Sequence, residues 1–509
     1  MAVAAATGMS MGVLQKIKSV TNCRSKITLV IQEELGNMKM KKALIILCIL
    51  AASMLLSGFK LAGDSEASNE FIRMNAGVTA KMMDADYWIE KSENADEVVM
   101  TAKEIAKWNK KHPNTVTVGD KSLSIIKMTS TVDGETVRSL IECLGAPSAG
   151  TAYIDGKPIT QEYIDKLYEL RNLDAIPEKI SVGYGFSTSR QSLRSMPTND
   201  FAGEDKNDYF YDTLVTSEYM PFLPLRVLHE SSDGNWYFVM FSGYAGWVEK
   251  KYVALCDSRK EWLERQKIEN FLVVTGRELR LPDDVGNEAV SGLILPMGTK
   301  MELVKPTDAP SNIRGRVSYA NYIVKIPTAG SDGKIKDEYV LVPVSEDVHV
   351  GYVTYTHGNV VRLAMELLGD RYGWAGLSHS NDCSGVVREI FSCFGFDLPR
   401  GAGTQAYMQN MTTFAFDENS TDEEKLEVLK NAPVGSLVYF RGHIMIYLGM
   451  VKNQPYVISS LGSFVAKPGG KIISCNTMMI NNMMRTYRGN GNSWLTNVSK
   501  VLYCEPNNT

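Results

Sequence analysis

Residues 381–385, Asn-Asp-Cys-Ser-Gly, have the residue types and the position of a nucleophilic site. A glycine- and aromatic-rich loop precedes them, and an apolar run with side chains at i, i+3, i+4 and i+7 follows, which predicts an amphipathic helix. Asn381 or Asp382 is the expected N-cap. Cys383 would then lie at a helix start, where free N–H groups and the helix dipole favour a thiolate. A lone cysteine is more often a buried structural residue, but these polar surroundings favour chemistry.

A nucleophilic thiol needs a base that takes its proton and later protonates the leaving amine. The chain has six histidines, and His443 begins an apolar run directly after Gly442. A strand that starts with Gly-His can present its imidazole to a helix N-terminus. We therefore predict that His443 is the general base and acid. His379 is nearer along the chain, but its loop position suits substrate contact at most.

The elements that must position this pair lie in residues 351–509. A helical stripe between Val360 and Leu368 ends at Gly369, and the helix of the cysteine follows. Strands are predicted at Leu437–Phe440, His443–Leu448 and Tyr456–Ile458. Helices followed by an antiparallel sheet indicate an α+β domain.

Residues 64–180 are predicted to form a mostly helical N-terminal domain. Helical spacing is present from Ala102 to Trp108 and from Thr160 to Leu173. No arrangement of catalytic residue types occurs in this part. We interpret it as a packing or docking domain.

Two blocks between the helical domain and the cysteine have the pattern of small β-barrels. Residues 181–257 and 258–350 both contain short β-runs punctuated by glycine turns. Trp236 and Trp247 in the first block are predicted core residues. Any duplication between the two blocks is weak at the level of sequence.

Composition excludes some classes of function. The 509 residues are too many for one core, and 44% hydrophobic and 22% charged residues are typical of folded globular domains. A net charge of -4 and the lack of a basic stripe argue against nucleic-acid binding. Six cysteines follow residue 63, and their irregular spacing fits no Cys-x-x-Cys zinc pattern and assigns no disulfide.

Residues 1–63 are interpreted as an over-long start followed by a signal peptide. Three lysines precede the apolar run from Ala43 to Leu56, which is too short for an ordinary membrane span. Phe59 stands where a lipidated cysteine would be, so lipid anchoring is not supported. Met38 or Met40 is the expected initiator. We expect export, with membrane contact only if this segment stays uncleaved.

Four segments in order resemble the NlpC/p60 cysteine peptidases, which are bacterial cell-wall enzymes with a papain-like core. They are residues 368–376, 382–385, 398–400 and 442–449, with the sequences LGDRYGWAG, DCSG, LPR and GHIMIYLG. The upstream blocks resemble the multidomain branch of the family, which has a helical domain and two bacterial SH3-like barrels. The resemblance implies hydrolysis of the γ-D-glutamyl–diamino acid bond in peptidoglycan stem peptides or muropeptides, without a cofactor or a metal.

The resemblance also implies roles for individual residues. Cys383 would attack the carbonyl, with His443 as base and acid. Asp382 and Ser384 would help to hold the free amine of an N-terminal L-Ala, because a carboxylate attracts an ammonium group. In relatives a tyrosine of the first barrel closes this pocket, and Tyr209 and Tyr211 are the candidates for it here. Trp374, in the loop before the cysteine, is a further candidate substrate-binding residue.

One position departs from the family pattern. The third residue, which orients the imidazole, is usually a histidine in a Val-Ile-His run, and here the run is Tyr456-Val457-Ile458-Ser459. A serine hydroxyl accepts the imidazole N–H but stabilises an imidazolium less well. We predict reduced or altered activity.

Two other functions stay open at this point. A decayed catalytic domain would leave a wall-binding protein that works through its barrels. A Cys-His pair also supports amide-forming or ester-cleaving acyl transfer.

Overall fold

The computed structural model describes residues 74–118, 121–123, 130–409 and 411–504. The chain divides into two units, Met1–Arg73 and Met74–Thr509, and all described residues belong to the second. The predicted start and signal segment therefore lie outside the described residues. None of the helices in the described part is long and apolar enough to cross a membrane.

The N-terminal part consists of short helices and two-stranded ribbons. The helices are α1 (Ala85–Ile89), α2 (Ala102–Lys111), α3 (Gly134–Glu142) and α4 (Gln161–Leu170), and the antiparallel ribbons pair β1 (Val116–Val118) with β2 (Lys121–Leu123), β3 (Thr131–Asp133) with β6 (Lys179–Ser181), and β4 (Tyr153–Ile154) with β5 (Lys157–Pro158). Both predicted helices are present. A capping box of Thr101 and Glu104 starts α2, and Thr160 caps α4.

These helices bury their apolar faces in cores that they share with later parts of the chain. Trp88 of α1 and Trp108 of α2 pack in one cluster with residues of the C-terminal block. Val137 and Ile141 of α3 pack into the core of the first barrel. Burial against these partners stabilises such short helices more than helix propensity does. The domain boundary at residue 180 stays a prediction.

The first barrel is a seven-stranded antiparallel sheet in the order β13-β7-β10-β11-β12-β8-β9. Its strands are β7 (Gly183–Ser187), β8 (Gln191–Arg194), β9 (Val215–Tyr219), β10 (Pro224–Glu230), β11 (Trp236–Phe241), β12 (Tyr244–Glu249) and β13 (Val253–Leu255). Trp236 and Trp247 are buried in its core, as predicted. The tight turn between β11 and β12 places Gly243 at φ 80°, a left-handed conformation that suits glycine.

Helix α5 (Arg259–Arg265) leads into the second barrel, whose five-stranded sheet has the order β19-β18-β17-β14-β20. The strands of this block are β14 (Phe271–Val274), β15 (Glu278–Arg280), β16 (Ile294–Pro296), β17 (Lys300–Val304), β18 (Asn321–Ala329), β19 (Ile335–Pro343) and β20 (Val348–Val350), of which β15 and β16 form a separate ribbon. Leu272, Val324 and Val342 are fully buried in its core.

The C-terminal block begins with three helices and continues into an antiparallel sheet, as predicted, with two further helices between its strands. The helices are α6 (His357–Glu366), α7 (Cys383–Ser392), α8 (Ala402–Ala406), α9 (Asp422–Asn431) and α10 (Trp494–Asn497), and the strands are β21 (Thr412–Ala415), β22 (Leu437–Phe440), β23 (His443–Val451), β24 (Gln454–Val465), β25 (Ile472–Asn482) and β26 (Lys500–Tyr503). The sheet order is β21-β26-β22-β23-β24-β25. Helix α7 packs on β23 and β24, which brings its N-terminus to the start of β23.

Candidate active site

Cys383 is the first residue of α7, and Asp382 is its N-cap, as predicted. The Asp382 carboxylate accepts the backbone N–H of Gly385 at 2.9 Å, which satisfies one of the free donors of the first turn. Val387 and Ile390 bury the opposite face of the helix in the core. The helix is thereby held rigidly, with the partly buried thiol at its N-terminal end.

Further hydrogen-bond donors occupy the remaining acceptor positions of the Asp382 carboxylate. Arg400 donates two hydrogen bonds to its carboxylate, at 2.7 and 2.8 Å, and Ser384 Oγ and the backbone N–H of Ala375 donate at 3.1 Å each. A carboxylate has about four acceptor positions. The predicted contact between Asp382 and a substrate amine therefore requires one of these donors to give way.

His443 is the first residue of β23, after the tight turn at Gly442 that follows β22. Its ring packs against both Phe440 and Trp494, with centroid distances of 5.4 and 5.5 Å. Nε2 lies 3.0 Å from Ser459 Oγ. When Nε2 carries the proton and donates to this hydroxyl, Nδ1 keeps the lone pair that a base needs.

Cys383 and His443 line one cleft of about 640 Å³. The backbone N–H of Ile444, the residue after the histidine, donates towards the thiol. The structure thus brings the predicted nucleophile to the start of the strand that carries the predicted base. Asp382 and Ser384 line the same cleft.

The first barrel supplies one wall of this cleft. Tyr211 is part of this wall. Its ring lies 5.7 Å from the ring of Trp374, which also lines the cleft and is 43% exposed. A β-carbon at Gly462 would overlap the Tyr211 hydroxyl, so this tyrosine reaches across to β24. Tyr209 is 68% exposed and does not line the cleft.

Residues 369–489 match the model of the NlpC/P60 family, and residues 200–249 match that of an SH3 domain of the SH3b1 type. The chain carries an NlpC/P60 domain. The NlpC/P60 endopeptidase from Photobacterium damselae subsp. piscicida has a similar fold, with 18% sequence identity, a TM-score of 0.61, and coverage of 85% of this chain and 98% of that one.

A second solved structure, an NlpC/P60 family protein from Bacillus cereus ATCC 10987, aligns over 64% of this chain and 100% of its own, with 17% identity and a TM-score of 0.42. No curated protein matches the chain. NlpC/P60 proteins are cysteine endopeptidases that act on peptidoglycan, and the match to their model covers residues 369–489 of this chain. The SH3b domain is consistent with work at the cell envelope.

The thiol of the NlpC/P60 domain is neutral at rest. Burial, together with the adjacent Asp382 carboxylate, raises the pKa of Cys383 to about 12, although the N–H groups of Ile444 and Ser384 favour the thiolate. The expectation that the helix start would give a thiolate is therefore wrong for this state, because burial and the N-cap charge outweigh the N–H groups. A neutral thiol has to lose its proton before or during a nucleophilic attack, and His443 is the base predicted to accept it.

The imidazole is also neutral at rest. Burial, assisted by the positive charge of Arg488, lowers the pKa of His443 to about 4, against a small opposing effect of Asp382. A neutral imidazole is the form that accepts the thiol proton.

We expect kcat/KM to keep its plateau down to about pH 5, because the base-competent neutral form of His443 persists until the pH falls through its lowered pKa. An unperturbed histidine would lose activity below about pH 6.5. The measurement is the pH profile of kcat/KM on a peptide that does not titrate in this range. An acid limb near the unperturbed value would show that the imidazole is hydrated in solution.

Removing the hydroxyl of Ser459 should lower kcat about 3- to 10-fold, because the imidazole loses the neutral hydrogen bond that orients it. KM should change little. Ser459→Thr keeps the hydroxyl and serves as the matched control for Ser459→Ala in steady-state kinetics. Unchanged turnover in Ser459→Ala would show that another group orients His443.

A buried ionic network, which sequence reasoning missed, links the first barrel to the start of α7. Arg190 donates to Glu218 Oε2 at 2.7 Å and to Asn381 Oδ1 at 2.9 Å, and its Nη1 lies 3.2 Å from Glu389. Glu218 lies 3.8 Å from Arg400, the partner of the N-cap carboxylate. All the charged side chains in it are at most 5% exposed. The sequence signals for it were Glu389, a charge within a mostly apolar helical run, and Arg400, which lies in the LPR segment.

Among the described residues, no group of three His, Cys, Asp or Glu side chains is placed to hold a metal ion. The six described cysteines are all free thiols, and Cys383 is the one that lines the cleft.

Proposed function

We propose that this chain hydrolyses the amide between the γ-D-glutamyl residue and the diamino acid of peptidoglycan stem peptides. The proposal is supported by one observation. Cys383, at the start of α7, lies next to the start of the strand that carries His443, and both residues line a cleft large enough for a peptide substrate. Ser459 completes the set through its contact with the imidazole.

The reaction follows from the neutral resting pair. His443 takes the proton of Cys383 as the sulfur attacks the γ-carbonyl carbon, and the C–N bond breaks as the imidazolium protonates the leaving amine of the diamino acid. The γ-glutamyl group is left as a thioester. A water molecule, deprotonated by His443, then releases the acid and restores the thiol.

The wall formed by Tyr211 and Trp374 supports a preference for stem peptides with an unsubstituted N-terminal L-Ala. An aromatic wall limits how far the substrate extends beyond the glutamyl residue. Ser384, which lines the cleft and donates its hydroxyl hydrogen to Asp382, is the proposed partner of the amine, with Asp382 behind it.

The test is product identification by mass spectrometry after incubation with L-Ala-γ-D-Glu-L-Lys and its meso-diaminopimelate counterpart. The expected products are L-Ala-γ-D-Glu and the free diamino acid. The α-linked isomer and the N-acetylated peptide should be poor substrates. Cleavage at another bond would refute the assignment, and no cleavage of any peptide would favour wall binding as the function.

We also propose that the chain is exported by the segment from Ala43 to Leu56. The support is its sequence: lysines, then an apolar run of signal-peptide length. Peptide mapping of the expressed protein is the test. A peptide spanning Gln15 to Lys39 would contradict the proposed start.

A further inference from the structure

The cleft contains one charged residue that no ion pair neutralises. Its permanently charged lining residues are Asp382, Arg400 and Arg488. Asp382 and Arg400 form a two-point ion pair and cancel one another. Within the described part of the chain, no carboxylate forms an ion pair with Arg488. With His443 neutral, the cleft therefore has an excess of one positive charge.

Arg488 is held close to the reacting groups. Its guanidinium carbon lies 4.7 Å from the centroid of the Phe440 ring, and the same ring lies 5.4 Å from the ring of His443. A tight turn fixes its backbone, since its N–H donates to the carbonyl of Asn492 at 3.0 Å and its carbonyl accepts the N–H of Gly491 at 3.0 Å. The side chain is half-buried, so its charge is only partly screened by water.

Resting on the proposed function, we propose that Arg488 binds the free α-carboxylate of the γ-linked D-glutamyl residue and so selects stem peptides in which this group is not amidated. The γ-linkage leaves that carboxylate two methylenes from the scissile carbonyl. A guanidinium binds a carboxylate through two parallel hydrogen bonds.

Amidation of the same group removes this recognition. An α-carboxamide has no charge, and its NH₂ would face the N–H donors of Arg488, which leaves donors unpaired in a partly dry cleft. The carboxylates of the diamino acid are the rival partners. They lie on the leaving-group side of the scissile bond, so a suitable set of peptides separates the two assignments.

The experiment compares four peptides, L-Ala-γ-D-Glu and its α-carboxamide, each joined to L-Lys or to meso-diaminopimelate. We expect wild type to prefer the free acid by about 10-fold or more in kcat/KM. Arg488→Gln should reduce this ratio to near one, and Arg488→Lys should keep part of it. Any effect of Arg488 on His443 is common to both peptides and cancels in the ratio.

Arg441→Gln is the matched control, because it removes the same charge from an exposed residue that does not line the cleft. It should leave the ratio unchanged. A ratio near one in wild type, or an unchanged ratio in Arg488→Gln, would overturn the proposal. A preference for meso-diaminopimelate that disappears in Arg488→Gln would reassign Arg488 to the leaving group.

A binding measurement separates failure of this proposal from failure of the proposed function. Calorimetry on Cys383→Ala with L-Ala-γ-D-Glu and its α-carboxamide needs no turnover. Tighter binding of the acid, lost in Cys383→Ala/Arg488→Gln, supports the role of Arg488 even if wild type cleaves none of the peptides. Equal binding of both ligands, or binding of neither, rejects it.

Discussion

Cys383→Ala should lower kcat for stem-peptide hydrolysis by about 10⁴-fold or more, to the limit of detection. The thioester cannot form without the sulfur, so water would have to attack the amide itself, which is a much poorer electrophile than a thioester. Binding of L-Ala-γ-D-Glu should persist, because the cleft walls are unchanged. The measurement is amine release by the wild-type and variant proteins at matched concentration.

Cys143→Ala provides the control, since Cys143 is an exposed thiol that does not line the cleft. Its kcat should equal that of wild type. Residual turnover of Cys383→Ala within a few-fold of wild type would mean that another group is the nucleophile, and the reaction steps proposed above would have to be abandoned.

Arg190→Met should lower the free energy of unfolding by about 3–5 kcal/mol. The change leaves Glu218 and Glu389 buried without the guanidinium that they share. Urea unfolding of the full chain, followed by tryptophan fluorescence, measures the loss. The matched control is Arg280→Met, because the pair of Arg280 with Asp283 is 61% and 80% exposed and such surface pairs contribute about 0–1 kcal/mol.

The loss in Arg190→Met should also depend on pH. Burial, opposed by Arg190, raises the pKa of Glu389 to about 7, above its value in the unfolded chain. A carboxyl group whose pKa is higher in the folded than in the unfolded chain stabilises the fold while it is protonated. This contribution disappears as the pH rises through the folded-state pKa, where the group becomes a buried carboxylate that needs Arg190. The loss should therefore be larger at about pH 8 than at about pH 6.

Arg190→Met/Glu389→Gln should recover part of the stability at the higher pH, because a neutral amide replaces the uncompensated carboxylate. An equal loss in Arg190→Met and Arg280→Met would show that the network is hydrated rather than buried in solution.

The helix of Cys383 and the strand of His443 were predictable because their signals are local. An N-cap next to an apolar stripe, and a Gly-His turn before an apolar run, specify their own conformations within a few residues. The strand bounds were less accurate: β24 is Gln454–Val465, where the sequence pattern indicated only Tyr456–Ile458. Polar residues such as Ser459 and Ser460 interrupt the apolar signal, yet both are buried by tertiary packing.

The side-chain partners of Asp382 and of the loop before it were not predictable from the sequence. Arg400 lies 18 residues further along the chain, and Arg190 lies 190 residues before Ser380, whose carbonyl accepts from it at 3.0 Å. No periodicity marks such pairs, because tertiary packing within the C-terminal block and of the first barrel against it brings them together. The same holds for Arg488, whose position in the cleft follows from the turn after β25.

Because Tyr211, Thr216 and Tyr244 of the first barrel line the cleft, the barrel is part of the substrate pocket as well as a neighbouring fold. In a chimeric lytic enzyme, exchanging this barrel for another wall-binding module would therefore change the substrate specificity as well as the site on the cell wall to which the enzyme binds. Because the N-terminal helices share cores with the barrel and with the C-terminal block, a useful fusion junction lies upstream of α1. The helices, the barrel and the peptidase domain then have to be transferred or exchanged together.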